Sequence, residues 1–352
     1  MRIAMTGSEW FTSRAGGLNR YFESLHQALA AQESAAVSAW AFGDAPESAN
    51  TWGPTGLGLG RRVLLSSRSL SGADILDQHF ALYGPVVRSG AVRVAHFQGP
   101  WAGESLLAGQ PRFGARLKKS IERARYHTAS AAIVLSEPFK RVLVDQYDYP
   151  EEQITVIPPG VDLERFSVRL NSELRPVVLC VRRLERRMGI HVLLRAWDAV
   201  VAAHPDAELR IVGTGSEEHN LRDQAAAGAR PSSVTFTGRV SDASLHDEYA
   251  AATLTVVPSI GLEGFGLISL ESLASGRAPI VTDCGGLPDG VRALDPTLIV
   301  PPGDAEALAQ RIYSALNGNR PSSDECRRHA ESFSWAVAAN RHLALYEELL
   351  TD

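Results

Sequence analysis

Short apolar runs rich in β-branched residues alternate with helical patterns along the whole chain. In the first half these runs predict strands at residues 2–5, 73–78, 91–97, 131–135 and 153–157. In the second half they predict strands at residues 177–181, 207–212, 233–237, 253–257, 278–282 and 297–300. Between the runs, apolar residues spaced three or four apart predict helices, as from Ile190 to Val201. Such alternation is typical of βαβ units, and we therefore predict an α/β protein with parallel sheets.

The predicted strands are too numerous for one compact sheet, and a break falls in mid-chain. Two prolines and a glycine end the strand near Val156, and a polar run at 169–176 precedes the next strand. We therefore predict two domains, residues 1–168 and residues 169–335. A TIM barrel is the main alternative, and the break and the irregular strand spacing argue against it. Residues 43–61, rich in Gly, Pro, Ser and Ala, are expected to form a mobile loop.

Composition narrows the class of protein. A chain of 352 residues suits two domains, and 45% hydrophobic and 21% charged residues are ordinary for a globular protein. The net charge of −5 gives no sign of nucleic-acid binding. The three cysteines lie far apart, so we expect buried thiols rather than a disulfide framework or a zinc site. Because neither a signal peptide nor a transmembrane run is visible, the expected location is cytoplasmic.

One predicted helix, residues 112–127, is basic although the whole chain is acidic. It contains a single acid, Glu122. Its basic residues are Arg112, Arg116, Lys118, Lys119, Arg123 and Arg125. A solvated helix face is the simpler interpretation, and the alternative is contact with an anionic acceptor or a membrane surface.

Two glutamates in the run from Ser259 to Glu271 are the strongest chemical signal. Glu263 lies between glycines in a predicted loop, and apolar residues at helical spacing predict a helix that begins near Gly266. Free N–H groups at the start of a helix bind phosphate, and Glu271 follows about one helical turn later. A phosphate-bearing sugar would therefore meet an anion site and two carboxylates. An isolated pair of glutamates would be a cap and a solvated residue, but the flanking glycines favour a ligand site.

A second glycine turn follows this helix. After the apolar run 278–282 comes Asp283-Cys-Gly-Gly-Leu-Pro288, and Gly-rich turns at strand ends are where open α/β sheets bind ligands. Together with Glu263 and Glu271, this passage resembles the donor-site motif of the retaining glycosyltransferases of family 4. The resemblance covers most of residues 170–335 and is thinner in residues 1–170.

The resemblance implies the GT-B fold, in which two Rossmann-like domains with parallel sheets face each other across a cleft. It also implies that the C-terminal helix, residues 336–352, packs back onto the first domain. In the family the first glutamate binds hydroxyls of the transferred sugar and the second binds the ribose of the nucleotide. These roles fall on Glu263 and Glu271. The residues of the same motif expected to line the donor pocket are Gly264, Phe265, Gly266 and Leu267.

An arginine-rich loop follows the predicted strand 177–181. The run Arg182-Arg-Leu-Glu-Arg-Arg-Met-Gly189 resembles the family motif Gly-Arg-Leu-x-x-x-Lys-Gly, whose Arg and Lys bind the donor diphosphate. Arg183 falls on the family arginine, but Met188 stands where the lysine belongs, and a thioether cannot neutralise phosphate. We expect Arg187 to supply the missing charge, because a guanidinium binds phosphate bidentately. Solvation of a loop is the weaker interpretation for so many neighbouring arginines.

The resemblance assigns three further turns to the donor site. Gly16 and Gly17 open a predicted helix after the first strand, as in the family loop that approaches the diphosphate. Gly213 and Gly215 lack the other features of a dinucleotide fingerprint and predict a tight turn near the nucleotide. The turn that resembles the family's base-binding turn comprises Gly238, Arg239 and Val240.

The predicted strand 91–97 ends in side chains that suit a site. Many family members carry a histidine at this strand end, beside the donor sugar. His96 and Gln98 lie on one face of the strand, and each aligns with that histidine in one of two registers. We count His96 as a catalytic candidate, with a structural histidine as the alternative. The candidates for acceptor or cleft contacts are His79, Gln98, Trp101 and Glu104.

These expectations combine into one function. We expect metal-independent, retaining transfer of a hexosyl group from a nucleotide sugar, with UDP as the expected nucleotide, to a hydroxyl of a small-molecule, lipid or glycan acceptor. No cofactor beyond the donor substrate is expected, and no paired-Asp metal site is visible in the sequence. One alternative is a glycoside hydrolase that uses Glu263 and Glu271. Another is a sugar-binding scaffold that lost activity with the family lysine.

Overall fold

A computed structural model describes residues 1–67, 70, 72–80, 82–85, 90–100, 103, 112–169, 175–261 and 263–351 of the protein. The strands are β1 (Arg2–Glu9), β2 (Ala36–Phe42), β3 (Asn50–Thr51), β4 (Ile75–Gln78), β5 (Val92–Phe97), β6 (Ala131–Val134), β7 (Ile154–Val156), β8 (Val177–Val181), β9 (Glu208–Val212), β10 (Val234–Gly238), β11 (Leu254–Val257), β12 (Pro279–Thr282) and β13 (Ile299–Val300).

The helices alternate with these strands. They are α1 (Gly17–Ala30), α2 (Leu59–Ser66), α3 (Arg112–Tyr126), α4 (Glu137–Tyr147), α5 (Ile190–Ala203), α6 (Glu218–Ala226), α7 (Asp242–Ala251), α8 (Leu267–Ala274), α9 (Ala305–Leu316), α10 (Ser323–Glu331) and α11 (Trp335–Thr351). Among the residues described, no helix is both long enough and apolar enough to cross a bilayer.

The chain forms two compact units. Unit 1 comprises Met1–Gly160 and Trp335–Asp352, and unit 2 comprises Val161–Ser334. Unit 1 contains a parallel sheet of strand order β3-β2-β1-β4-β5-β6-β7, and unit 2 contains one of order β10-β9-β8-β11-β12-β13. In each sheet the order reverses once, between β1 and β4 and between β8 and β11. Such reversals are the topological switch points at which open α/β sheets bind ligands.

The last helix belongs to unit 1, where α11 packs against α1. Helix α1 buries Tyr21, Phe22, Leu25 and Leu29, which lie on one face at helical spacing. The ring of Tyr21 meets that of Trp335 at a centroid distance of 5.4 Å, so the first turn of α11 is anchored on an aromatic contact.

The boundary between the units lies at Gly160 rather than at residue 168. The reason is that the segment before residue 168 packs on unit 2. The ring of Phe166 contacts that of Tyr249 edge-on at 5.7 Å, and Arg327 Nη1 donates to the Phe166 carbonyl at 2.6 Å. The polar run at 169–176 marked the start of the next strand, but the change of unit occurs earlier.

Residues 43–61 do not form the long loop that their composition predicted. Within them lie β3 and the start of α2. Trp52 is buried and stacks on Trp40 at 6.4 Å, and it also contacts Phe42 at 5.5 Å. A buried tryptophan therefore fixes the middle of a segment that small residues had made look mobile.

Candidate functional site

The switch point of unit 2 is formed by two loops, which follow β8 and β11. The first contains the arginine-rich run from Arg182, and the second runs from Pro258 to Gly266. Because β8 and β11 are neighbouring parallel strands, both loops leave the same edge of the sheet. The arginine-rich run and the loop with Glu263 therefore lie at the edge of the sheet where open α/β folds bind ligands.

Arg182, Ser259 and Glu263 contact one another in these two loops. Arg182 donates through Nη2 to both Ser259 Oγ and Glu263 Oε2. Ser259 Oγ donates to the same carboxylate oxygen at 3.2 Å. The Arg182 and Glu263 side chains are only 5% and 13% exposed, so this ion pair is largely removed from water. Such a pair holds the carboxylate in one orientation, because both partners would be costly to leave unpaired.

Glycines bring the loop backbones into close contact. A Cβ on Gly285 would lie 2.0 Å from the Glu263 carbonyl oxygen, and Gly286 N donates to that oxygen at 2.9 Å. A Cβ on Gly189 would lie 1.8 Å from the carbonyl oxygen of Pro258. Both Gly285 and Gly189 have positive φ. The Gly-Gly turn after β12 therefore packs directly on Glu263 and fixes its position.

Gly213 and Gly215 hold the arginine loop. A Cβ on Gly213 would lie 1.9 Å from the Arg182 carbonyl oxygen, and one on Gly215 would lie 2.3 Å from the Leu184 carbonyl oxygen. Leu184 N also donates to the Thr214 carbonyl at 3.0 Å. These glycines form the expected tight turn, and what they contact is the backbone that carries Arg182.

Helix α8 begins at Leu267, as the sequence predicted. Gly266 precedes it with φ of 84°, and a Cβ there would collide with Leu287 at 2.3 Å, so only glycine fits. Phe265 is buried, whereas Gly264 and Leu267 are half-buried. Ser269 N donates to the Gly266 carbonyl at 2.9 Å. The N–H groups of Leu267 and Ile268 precede it at the start of the helix, which is a position that suits an anion.

Glu271 lies within α8 and is buried. Tyr249 Oη donates to Glu271 Oε2 at 3.0 Å. Burial, together with the charge of Glu271, raises the pKa of Tyr249 well above its usual value, so this hydroxyl remains a donor. Tyr249 comes from α7, and nothing in its local sequence indicated this contact.

Three further residues of the arginine loop differ in exposure. Arg183 is exposed, Arg187 is half-buried and Met188 is buried. Burial and then the charge of Glu263 raise the pKa of the Cys284 thiol to about 11, against the nearby charges of Arg182 and Arg187, which lower it. Arg187 therefore lies within electrostatic reach of the residues around Glu263. Met188 is buried, so its side chain contributes to the apolar interior rather than to the charge of the loop.

The turn that was expected to bind the base lies at the end of β10. Gly238 has a φ of 70°, and its carbonyl accepts from Gly213 N at 2.8 Å, which ties this turn to the turn after β9. Arg239 is exposed and Val240 is half-buried. The structure thus brings together the turns after β8, β9, β10, β11 and β12 in unit 2.

In unit 1 the glycine loop follows β1. Gly16 and Gly17 precede and begin α1, and a Cβ on either would meet no neighbouring atom within 4 Å. Unlike the close-packed glycines of unit 2, they leave the start of α1 open. This suits approach of a ligand to the backbone.

His79 and His96 are buried in unit 1 around Asp77. His79 Nε2 lies 3.0 Å from Asp77 Oδ2, and His96 Nε2 lies 2.8 Å from Asp77 Oδ1. The two imidazole rings stack at 3.8 Å. Gln98, which is half-buried, reaches His79 Nδ1 with its amide nitrogen at 3.2 Å. Gln98 therefore connects the end of β5 to a carboxylate in the core.

Helix α11 covers this cluster. His342 stacks on His96 at 5.4 Å, and its Nε2 lies 3.4 Å from Tyr21 Oη. Burial and the neighbouring His96 lower the pKa of His79 to about 4 and that of His342 to about 3. Burial alone would raise the pKa of the Asp77 carboxyl, but His96 and His79 hold it well below its usual range. His79 and His342 are therefore neutral at ordinary pH, whereas the Asp77 carboxyl is ionised.

Asp77, His79 and His96 are residue types that bind metal ions, and their ligand atoms lie within 4.8 Å of one another. They are therefore the candidate metal cluster among the described residues. The ring geometry does not suit a metal ion. Imidazole lone pairs lie in the ring plane, and rings stacked with only 19° between their planes cannot both point at one ion at about 2 Å. The Gln98 contact also occupies the second nitrogen of His79. The cluster is a packed core in which His79 is hydrogen-bonded to Asp77 and Gln98, whereas neither ring nitrogen of His96 has a hydrogen bond of good geometry.

The structure therefore divides the candidates from the sequence. Glu263, Arg187 and the glycine turns come together in unit 2, and His96, His79 and Gln98 come together in unit 1. Trp101 and Glu104 lie outside the described residues. Sequence reasoning missed Arg182, Ser259 and Tyr249; the first two follow strand ends and could have been suspected, whereas Tyr249 gave no signal.

Comparison with solved structures identifies the class. The chain is similar over 100% of its length to 99% of sucrose-phosphate synthase of Thermosynechococcus elongatus, with a TM-score of 0.80 and 23% identity. It is similar over the same shares to HepE of Anabaena, solved in complex with UDP-glucose, with a TM-score of 0.76 and 17% identity. The two Rossmann-like units thus have the GT-B fold of glycosyltransferases.

Comparison of sequences identifies the family. Residues 162–333 match the glycosyl transferases group 1, and residues 15–165 match glycosyltransferase family 4. D-inositol 3-phosphate glycosyltransferase of Corynebacterium kroppenstedtii is 30% identical over 269 residues, which are 70% of this chain and 59% of that protein. The match spans less than two thirds of this relative's length. The chain belongs to glycosyltransferase family 4.

Proposed function

We propose that this protein is a retaining glycosyltransferase that moves a hexosyl group from a UDP-sugar to an acceptor hydroxyl. The observation that carries the proposal is the ion pair between Arg182 and Glu263 at the switch point of unit 2, beside the start of α8. It combines a fixed carboxylate for sugar hydroxyls, a fixed cation and the free N–H groups of a helix start. A nucleotide sugar requires these three features in one place.

Glu263 binds the hydroxyls of the transferred sugar in this proposal. A carboxylate has about four acceptor positions, so hydroxyl groups can join the bonds from Arg182 and Ser259. Arg182 and Arg187 supply positive charge to the diphosphate as it leaves, and Arg183 adds to them from the loop surface. Fixed cations are most effective where charge develops in the transition state. Because these arginines neutralise the leaving group, we propose that turnover needs no added metal.

The nucleotide lies along the turns after β8, β9 and β10. Glu271, oriented by Tyr249, accepts from the ribose hydroxyls, and the backbone of Gly238 to Val240 meets the base. HepE, whose structure contains UDP-glucose, supports UDP as the nucleotide. The relative from Corynebacterium kroppenstedtii is described as acting on D-inositol 3-phosphate, which makes phosphorylated polyols the first acceptors to screen.

A screen of nucleotide sugars tests the proposal. Purified protein with UDP-, GDP- and ADP-sugars and a panel of polyol phosphates is expected to turn over or slowly hydrolyse a UDP-sugar, detected by mass spectrometry, with or without a chelator. The anomeric configuration of the product, read by NMR, should match that of the donor. Glu263→Gln should lower transfer by roughly 100-fold or more while UDP binds as before.

Two outcomes would replace the proposal. Cleavage of simple glycosides without any response to UDP would identify a glycoside hydrolase that uses the two glutamates. Binding of UDP or sugars without turnover of any nucleotide sugar would identify a non-catalytic scaffold. Loss of turnover on adding a chelator, restored by a divalent ion, would contradict the metal-independent step.

A further inference from the structure

Helix α3 has two opposite faces of different character. The face toward unit 1 is formed by Ala115, Glu122 and Tyr126, which are at most 4% exposed. Tyr147 Oη donates to Glu122 Oε2 at 2.9 Å, so the one acid of the helix is directed into the interior. The helix is therefore firmly seated on the unit, and its other face is turned outward.

The outward face carries a row of large apolar side chains. Phe113 is 81% exposed, Leu117 is 57% exposed and Ile121 is 37% exposed. These residues are spaced by four and so follow one line along the helix. A single exposed leucine needs no explanation, but three large apolar residues in a row form a patch of the kind that marks an interaction site.

Basic residues accompany this row. Arg116, Lys119 and Arg123 are exposed, and Lys118 is half-buried. Arg123 pairs with Asp148 at 2.7 Å, while the Lys119 ammonium lies 5.7 Å from the Tyr147 ring. With Glu122 buried, the exposed part of α3 shows cations without an acid of its own.

We propose that α3 is a docking surface for a bilayer that contains anionic lipids. Phe113, Leu117 and Ile121 enter the boundary between headgroups and acyl chains, and Arg116 and Lys119 contact lipid phosphates. A helix with an apolar line and cationic flanks lies in this plane, with its apolar face about 5–10 Å deep. The net charge of the chain is −5, so the cations of α3, rather than the overall charge, supply the attraction to an anionic surface.

The proposal does not depend on the proposed catalytic function. It predicts reversible binding, because three apolar side chains and a few cations contribute far less membrane-binding free energy than a spanning helix does. Binding should require both parts of the surface. High salt should weaken it, since lipid phosphates attract the cations only within a Debye length.

Sedimentation with vesicles tests the proposal on the full chain. Wild-type protein is expected to sediment with phosphatidylcholine vesicles that contain phosphatidylglycerol, and to bind phosphatidylcholine alone at least ~10-fold more weakly. Leu117→Ser should reduce binding to the mixed vesicles by ~10-fold, because one leucine side chain is no longer buried in the bilayer. Leu350→Ser is the matched control, because Leu350 is 41% exposed on α11, next to Glu347 and Glu348. It should bind as wild type does.

A charge variant separates the two parts of the surface. Arg116→Glu with Lys119→Glu keeps the apolar row and should abolish the preference for phosphatidylglycerol. Far-ultraviolet circular dichroism and UDP affinity should be unchanged in every variant, because Arg116, Leu117 and Lys119 are exposed. Wild-type binding equal to that of Leu117→Ser, or no preference for the anionic lipid, would overturn the proposal. So would self-association that Leu117→Ser removes, which would assign the face to a second copy of the chain.

Discussion

The two switch points share a topology but use their polar residues in opposite ways. In unit 2 the loops after β8 and β11 carry a largely buried ion pair, Arg182 with Glu263. In unit 1 the ends of β4 and β5 carry His79 and His96, which are buried around Asp77 and covered by α11. The ion pair of unit 2 lies among close-packed backbone turns, whereas the histidine cluster of unit 1 lies beneath a helix.

Glycines explain the difference. In unit 2 the residues Gly189, Gly213 and Gly285 let backbone segments approach so closely that a Cβ would collide. The loops are thereby fixed without side chains filling the space above the sheet. In unit 1 Gly16 and Gly17, after β1, are open, and the neighbouring strand ends are filled by rings. We infer that the switch point of unit 2 has room for charged side chains because its loops pack through their backbones. In unit 1, side chains fill the corresponding space.

The largest effect is expected from Arg182→Met. It leaves Glu263 without its ion-pair partner in a largely buried place, which costs about 3–5 kcal/mol of the free energy of unfolding. Turnover should fall by ~100-fold or more. Arg183→Met, at the exposed neighbour, should change the free energy of unfolding by less than about 0.5 kcal/mol. Urea unfolding and initial rates measure both.

The double variant Arg182→Met with Glu263→Gln makes that comparison sharper. Removing both charges should recover part of the stability that Arg182→Met loses, because the carboxylate is no longer buried alone. It should not recover turnover. Additive losses of stability would mean that the two side chains do not interact in solution.

The next largest effect on stability and turnover is expected from Gly285→Ala. Its Cβ would lie 2.0 Å from the Glu263 carbonyl oxygen, and its φ is +56°. Gly303→Ala is the matched control, because Gly303 has φ of +80° with no atom within 4 Å of an added Cβ. The control should lose only roughly 1–2 kcal/mol of the free energy of unfolding, which is the cost of a left-handed backbone conformation for alanine. Gly285→Ala should lose more stability, and it should also lose turnover. Similar stabilities would show that Glu263 is not held by this turn.

Glu271→Gln should weaken UDP binding by roughly 1–3 kcal/mol, because a charged hydrogen bond to the ribose is lost. Tyr249→Phe removes only the group that orients Glu271, so its effect on UDP affinity should be smaller. Isothermal titration calorimetry measures both. Equal UDP affinities for Glu263→Gln and Glu271→Gln would reject the assignment of sugar to one glutamate and ribose to the other.

The smallest effect concerns acid stability in unit 1. An unfolded histidine gains a proton below about pH 6.5, whereas the folded pKa of His342 is about 3. The unfolded chain therefore binds more protons in this window, and the free energy of unfolding falls as the pH falls. Between about pH 7 and about pH 5, the free energy of unfolding of His342→Gln should therefore decrease by about 2 kcal/mol less than that of the wild type. The exposed His219→Gln should leave the profile unchanged, and an equal fall in both variants would contradict the buried neutral imidazole.

Much of the fold was predictable because strands of a parallel sheet are continuous apolar runs bounded by turns. The predicted runs from residue 177 onward coincide with β8 to β13. Strand β2 was missed because Ala36-Val-Ser-Ala-Trp-Ala-Phe42 contains weak strand formers and a serine. Its burial depends on Trp52, a partner that local pattern does not reveal.

The site was predictable where backbone geometry leaves a mark in sequence. Glycines around Glu263 and before α8 indicated a loop and a helix start. The choice between Arg182 and Arg183 was not predictable, because adjacent residues at a strand end point to opposite sides, and the register of β8 decides which one meets Glu263. The contact of Tyr249 with Glu271 joins two helices and is likewise set by tertiary packing.

The return of α11 to unit 1 has a consequence for synthesis of the chain. The sheet of unit 1 is complete at β7, but Tyr21 and His96 stay uncovered until Trp335 and His342 have been translated. All of unit 2 is made in between. The first unit to leave the ribosome is therefore the last to finish its core, and a nascent chain must keep an unfinished aromatic surface from aggregating during that interval.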